Sequence, residues 1–343
     1  MNILLIRTSA LGDVVHCLPV LTALRRHLPH AKIGWLVEGA MKPVLEGHPD
    51  LDALLTVRLR TWRKKPFSAE TREGVATFLR DLDRFAPDVT LDLMGNHKAG
   101  FLAALTQCDR RIGLGRAWRR EPSSSFWISE PVAPRGAHVV DRGLALLDAL
   151  GLPREPADFG GEKIFRDEPE LELDGEPFAL VHAGAGWANK RYPPERWGEA
   201  LRLLRERTGL STLVPVARGE EALAAGVEAA GGGAARTIPA GDLPTLAALL
   251  RRARLVLGGD SGPIHLAHAL GTPVLMLMGP TDPFQNGPYG APEMALWKEL
   301  PCGFCHRRFD EPRPCLVTIP PEWVAARAAE ILQAAEAHSG STI

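Results

Sequence analysis

Short apolar runs alternate along the whole chain with longer segments in which apolar residues return every three or four positions. The runs Asn2–Ile6, Lys32–Val37, Leu54–Val57, Val89–Leu93, Phe178–His182, Ser211–Val216, Leu255–Gly258 and Pro273–Met278 predict buried strands. The periodic segments between them, such as Val14–His27 and Pro194–Thr208, predict amphipathic helices. Strand and helix in regular alternation give an α/β fold built on parallel sheets. Glycine-bearing exits follow both Ile6 and Val181, which predicts two Rossmann-like domains in tandem. Four prolines, two adjacent glycines and many acids interrupt the apolar period between Gly151 and Pro177, so the linker is expected there. The expected organisation is a first domain over 1–160, a second over 177–319 and a terminal helix over 320–338. The small-residue stretch Ala229–Ala235 reads as a loop.

Length and composition agree with this picture: 343 residues, 45% of them hydrophobic, can bury two ordinary cores. Five cysteines do not make a disulfide framework and favour a reducing compartment. The opening strand is broken by Arg7 and Asp13 and does not read as a secretion leader. No run is apolar for long enough to span a bilayer, so any membrane contact is expected to be peripheral. A net charge of −1 and 6% aromatic content argue against a nucleic-acid-binding surface. Residues 1–150, however, carry 21 Lys+Arg against 16 Asp+Glu, and the remainder 19 against 25. The excess is clustered at Arg58, Arg60, Arg63, Lys64 and Lys65 and again at Arg110, Arg111, Arg116, Arg119 and Arg120. Each cluster is either a solvated basic face or a site for an anionic ligand.

Candidate chemistry falls at strand exits. Asp13 follows the first strand and is either the cap of a helix beginning at Val14 or a general base. In Gly184-Ala185-Gly186-Trp187-Ala188-Asn189-Lys190-Arg191 the glycines admit a phosphate and the two cations neutralise it. A third glycine is missing, so this is no dinucleotide fingerprint, and a plain loop fits equally. Gly258-Gly259-Asp260-Ser261-Gly262-Pro263 ends a strand and opens a helix whose amides suit a diphosphate, with His265 expected one turn along in the same pocket. A further turn, Gly279-Pro280-Thr281-Asp282-Pro283, follows the next strand. Cys302, Cys305 and Cys315 with His306 resemble part of a zinc site, but a second C-x-x-C is absent and buried free thiols are expected. Asp50-Leu51-Asp52 and Asp81-Leu82-Asp83 read as surface rather than as metal ligands.

The ordered set of motifs resembles the glycosyltransferase family 9 heptosyltransferases. Its carriers are Thr8 to His16, Arg60 to Ser68, Asp92-Leu93-Met94-Gly95 with Lys98, Arg120-Glu121-Pro122, His138 through Arg142, Lys190-Arg191-Tyr192-Pro193, Gly259-Asp260-Ser261-Gly262 with His265, and Gly279 to Pro283. The resemblance covers nearly the whole chain and is strongest to the branch acting on Kdo-lipid A. It implies a GT-B fold, two facing Rossmann-like domains with the site in the cleft and a terminal helix crossing back to the first. It implies inverting, metal-independent transfer of heptose from ADP-heptose to the lipopolysaccharide inner core by a cytoplasmic enzyme on the inner-membrane face, without cofactor. Asp13 matches the catalytic base and Lys190 the contact to the donor diphosphate. Ala185, Gly186, Asp260, Ser261, Gly262 and His265 match the donor site, with Glu220 or Glu221 at the ribose or adenine. Ser9, Gly12, Arg60, Arg63, Lys64, Lys98 and Arg120 match the acceptor side. The cysteines are more similar to later-acting family members, and the donor loop lacks the adjacent threonines usual in the first-acting branch. Another nucleotide sugar or a later inner-core acceptor is therefore the alternative.

Overall fold

A computed structural model describes residues 1–134, 136–166, 169–171 and 173–340, with side chains to Ala337. The chain divides into two units, Met1–Arg166 and Asp167–Ile343, and the division falls inside the expected linker. Asp167, Glu168 and Glu172 of that linker lie outside the described residues.

In the first unit β1 (Asn2–Ile6), β2 (Lys32–Glu38), β3 (Ala53–Val57), β4 (Val89–Asp92), β5 (Arg110–Leu114) and β6 (Glu130–Val132) form one sheet ordered β3-β2-β1-β4-β5-β6. All its pairings are parallel. Helices α1 (Leu11–Val15), α2 (Leu18–His27), α3 (Lys42–Leu45), α4 (Leu59–Lys64), α5 (Ala69–Phe85), α6 (His97–Leu105) and α7 (Val139–Leu144) connect the strands. In the second unit β7 (Phe178–His182), β8 (Ser211–Val216), β9 (Ala235–Pro239), β10 (Leu255–Gly259), β11 (Val274–Leu277) and β12 (Ala295–Leu296) are ordered β12-β11-β10-β7-β8-β9, again parallel. Its helices are α8 (Pro194–Thr208), α9 (Glu221–Gly231), α10 (Leu243–Arg252), α11 (Gly262–Ala269), α12 (Pro283–Asn286), α13 (Pro314–Val317) and α14 (Pro321–Gly340). Counted from each unit's first strand, both sheets read 3-2-1-4-5-6. That doubly wound order reverses between strands one and four, and ligands collect outside the carboxyl ends there.

Local chemistry explains the elements. Ile3 to Ile6 are fully buried, as a central parallel strand covered on both faces requires. Ser68 caps α5 by accepting from the Thr71 amide, and Asp242 caps α10 through Thr245. Pro194 opens α8, and Gly209, at φ +75°, closes it. Close packing also selects glycines: a Cβ on Gly34 would lie 2.7 Å from the Phe85 ring, and one on Gly100 would lie 2.3 Å from the Trp127 indole.

Several expectations are corrected. The helix read as Val14–His27 is two, broken at Cys17, because Pro19 cannot donate to the preceding turn and its ring crowds that carbonyl. Ala229–Ala235 is not one loop: α9 runs to Gly231 and β9 begins at Ala235. Asp50 is buried and ion-paired to Lys163 at 2.8 Å, while Asp52 accepts from the Ile33 amide and Arg25. Strands β5, β6, β9 and β12 were not among those expected. The apolar face of α14 is buried within the second unit: Val324, Ala325, Ala328 and Leu332 join Trp197, Leu201, Leu255 and Leu275 in one core.

The first sheet's edge is tied by a buried ion pair. Asp92 ends β4, takes the Arg119 guanidinium at 2.5 Å on Oδ2 and accepts the Met94 and Gly95 amides on Oδ1. Arg119 also donates to Ser124 and to the Leu114 carbonyl. Both charged side chains are essentially inaccessible. Arg119→Ala would leave the Asp92 charge uncompensated and is expected to cost the first unit about 3–5 kcal/mol in urea unfolding. An unchanged midpoint would refute this.

Candidate active site

In the first unit the reversal of strand order brings the exits of β1 and β4 side by side. Asp13 is the third residue of α1, so the helix begins at Leu11 rather than after Asp13. Its Oδ2 accepts the Ala10 amide at 3.0 Å, and its Oδ1 meets the Arg7 guanidinium at 2.5 Å. Arg7 is in turn fixed by donating to the Leu93 carbonyl, on the β4 side, at 2.5 Å. Burial would lower the Arg7 pKa, but the Asp13 carboxylate raises it. Asp13 thus has a fixed orientation while 43% of its side chain remains accessible. Two of a carboxylate's roughly four lone-pair directions are engaged and the others are open, as a proton acceptor requires.

Lys98, in the first turn of α6, belongs to the same place. Its pKa is lowered by burial, supported by Glu38 and lowered further by Arg7 and Arg120. Ser9 is half-buried in the β1 exit, and Gly12 is partly exposed nowhere: it is a buried position of α1. Arg60, Arg63 and Lys64 are exposed on α4, which follows β3, two strands from β1. Of the second basic cluster, Arg110 is held by Glu130, Arg111 by the Trp127 and Cys108 carbonyls, and Arg119 by Asp92. Arg116 and Arg120 remain exposed.

In the second unit the exits of β7 and β10 meet in the same way. Asp260, directly after β10, takes Lys190 Nζ at 2.5 Å and the Thr281 hydroxyl at 2.6 Å on Oδ2, and His265 Nε2 at 3.0 Å on Oδ1. Burial would raise the Asp260 pKa, but His265 and Lys190 hold it well below the usual carboxylate range. His265, expected to face a ligand, is buried and turned to Asp260. Lys190 also lies 4.6 Å from the centre of the Trp187 ring, a cation–π contact. Gly259 is required here: a Cβ would lie 2.3 Å from the Lys190 carbonyl oxygen. The backbone of the lysine loop therefore rests on the end of β10.

Ser261 caps α11 without a side-chain bond, and its buried hydroxyl has no partner among the described residues. Gly262 opens that helix. In the β7 exit the glycine that matters sterically is Gly184, where a Cβ would fall within 2.5 Å of the Glu220 carboxylate; Gly186 faces open space. Ala185 is buried and its carbonyl accepts from Arg191 Nε at 3.1 Å and Nη2 at 3.0 Å. Burial raises the Glu220 carboxyl pKa against the pull of Arg191. Glu221 is instead exposed and accepts the Gly219 amide. Of the two glutamates, only Glu220 reaches the loop.

Three participants had been given no individual role by the sequence: Arg7, Thr281 and Asn189. Asn189 is buried and binds the chain at Arg307 and Phe309 from both ends of its amide. The cysteines are corrected in part: Cys302 and Cys305 are exposed, and Cys315 is half-buried with its thiol pKa pushed up by burial. Among the described residues no three His, Cys, Asp or Glu side chains gather to hold a metal ion.

A sequence profile described as glycosyltransferase family 9 (heptosyltransferase) matches residues 75–314. Lipopolysaccharide heptosyltransferase 1 of Pseudomonas aeruginosa is 32% identical over 311 residues, 90% of this chain and 87% of that protein. The protein of the same name from Escherichia coli K12 is 29% identical over 300 residues, 86% of this chain and 92% of its own. The solved E. coli heptosyltransferase WaaC with ADP aligns at a TM-score of 0.80 and 26% identity over 96% of this chain and 100% of that one. WaaC with ADP-2-deoxy-2-fluoro heptose aligns at 0.71 and 28% identity over 84% and 91%. The fold and its charged strand exits define a glycosyltransferase of the GT-B class. The chain belongs to glycosyltransferase family 9 (heptosyltransferase).

One residue at this edge gives a pH signature. His182 ends β7, and burial, reinforced by Arg191, lowers its pKa to about 4 from 6.5. The unfolded chain takes up this proton first, so the contribution of neutral His182 is complete above pH 6.5 and is lost as pH falls toward 4, in total about 3 kcal/mol. His182→Gln should remove up to one proton, about 1.4 kcal/mol per pH unit, from the slope of unfolding free energy against pH in that window. An unchanged slope would contradict the assignment.

Proposed function

We propose that this transferase moves heptose, with inversion, from ADP-L-glycero-D-manno-heptose to the Kdo-lipid A inner core of lipopolysaccharide. The observation that carries the reading is Asp13, oriented by Arg7 and the Ala10 amide yet open to solvent at the first unit's switch point. The names and ligands of the relatives, lipopolysaccharide heptosyltransferase 1 and WaaC with ADP, support the donor and acceptor.

The reading divides labour between the units. The first, 1–160, takes the acceptor: Arg60, Arg63, Lys64, Lys98 and Arg120 meet its carboxylates and phosphates, with Ser9 and Gly12 lining the β1 exit. The second, 177–319, takes the nucleotide sugar on the Ala185–Gly186 backbone, with Glu220 at the ribose. Asp13 accepts the proton of the acceptor hydroxyl as its oxygen bonds to the sugar's anomeric carbon. The bond from that carbon to the diphosphate breaks, and its electron pair leaves with ADP. Lys190, the free Ser261 hydroxyl and the amino end of α11 at Gly262 stabilise the charge that develops there. Asp260 and His265 hold Lys190 in place, since every oxygen of Asp260 is directed at His265, Lys190 or Thr281. No step needs a metal or cofactor. No helix among the described residues is long and apolar enough to cross a membrane, so the reading has the enzyme meet its lipid acceptor peripherally, on the cytoplasmic face of the inner membrane.

Asp13→Ala is expected to lower kcat by about 10²–10⁴-fold while ADP affinity by calorimetry stays within twofold; normal turnover would sink the base assignment. Converting Arg60, Arg63 and Lys64 together to Glu should raise the acceptor KM at least tenfold and leave the donor KM nearly unchanged. An unaltered acceptor KM would remove α4 from the acceptor site.

A further inference from the structure

The first unit exposes aromatic side chains that no described part of the chain covers. Phe67, between α4 and α5, is 88% exposed; Phe126, Phe101 and Trp118 are 65%, 53% and 44% exposed. The ring of Phe126 lies 4.4 Å from that of Trp127 and 5.7 Å from His97, and Phe101 packs edge-on to the same Trp127 at 6.3 Å. Trp127 is seated over Gly100, so this plate is fixed to the first turns of α6. Rigid apolar surface held in water is unfavourable unless something else removes it from water.

Cations surround these rings. Arg60, Arg63, Lys64 and Lys65 are exposed beside Phe67, with no acid from residue 58 to residue 69. Arg116 and Arg120 are exposed beside Trp118, with no acid from residue 110 to residue 120. The segments also share one side of the unit. In a wholly parallel sheet the exits of β3, β4 and β5 emerge at one edge, and β1, which leads to Asp13, stands between β3 and β5, about 10 Å from each.

We infer that this edge docks on an anionic bilayer, with Phe67 and the Phe101–Phe126–Trp127 plate entering the headgroup boundary and the arginines and lysines on lipid phosphates. Exposed aromatic rings bordered by a dense, acid-free set of cations suit that boundary, where one side is apolar and the other wet and negatively charged. Docked so, the edge brings Asp13 toward the lipid surface. The inference rests on the lipid-linked acceptor proposed above, and adds the residues that bring the enzyme to it.

Co-sedimentation of the full chain with vesicles of phosphatidylcholine, alone or mixed with phosphatidylglycerol, tests it. The unaltered protein should sediment with the mixed vesicles and far less with the neutral ones. The double variant F67S/F126S should bind mixed vesicles at least tenfold more weakly, with an unchanged Tm, while transfer to a deacylated, water-soluble acceptor proceeds at the normal rate. Equal vesicle binding by the variant and the unaltered protein, or none by either, would overturn the inference. So would a variant that changes oligomeric state instead of vesicle binding, which would make a second copy of the chain the occupant. Absence of any transfer by the unaltered protein would refute the acceptor reading and leave the vesicle result standing separately.

Discussion

A buried carboxylate at the end of the fourth strand organises the strand-exit edge of each unit. Asp92 closes β4 and Asp260 follows β10, strands that hold the same place in two identically ordered sheets. A carboxylate taken out of water is unfavourable by several kcal/mol unless donors surround it, so each one dictates the loops around it. Asp92 gathers Arg119 and two amides of its own turn. Asp260 gathers Lys190, His265 and Thr281 from three separate segments of the second unit.

The same device yields different outputs because the partners differ. Arg119 is sealed inside, so Asp92 yields only a rigid edge, against which Gly95, at φ +67°, packs the Arg119–Arg120 backbone. Lys190 keeps 15% of its side chain accessible, so Asp260 yields a cation held at the surface by a group that cannot compete for a ligand. An ammonium has three donors; Asp260 engages one, and the geometry of that bond sets where the others point. Asp13 is treated in the converse way: its orienting cation, Arg7, is the buried partner, and the carboxylate is the one left open.

Much of this was legible in the sequence, for identifiable reasons. Central strands announce themselves because both faces are apolar, which is why Asn2–Ile6, Phe178–His182 and Ser211–Val216 match to the residue. Strand β5 was hidden because its first residues are Arg110 and Arg111, whose guanidiniums are satisfied by Glu130 and by carbonyls. A pattern of polarity cannot show a charge neutralised by folding. Asp13, Lys190 and Asp260 stood out through glycines and strand exits, whereas Arg7 and Thr281 carry no spacing signal; their roles exist only once β1 lies beside β4, and β10 beside β11. His265 was legible as a residue and not as a direction, since its ring could have turned to ligand or to Asp260, and only packing decides.

Net charge by unit is equally incomplete until the internal pairs are removed. Arg25, Arg26, Arg110 and Arg119 of the first unit are neutralised by Asp52, by Glu155 and Asp158, by Glu130 and by Asp92. Exposed cations remain on α4 and the turn after it, with Lys98, Arg116 and Arg120, on segments that follow the strand exits of the edge from which Asp13 projects. In the second unit Asp260 cancels Lys190 as a net charge while leaving its N–H donors in place. On the function proposed, anion recognition there comes from oriented donors and the amino end of α11, which act at contact distance and leave no long-range field. On the function proposed, the exposed cations of the first unit act on an anionic surface across distances up to about a Debye length, and the donors of the second unit act on a phosphate only at contact.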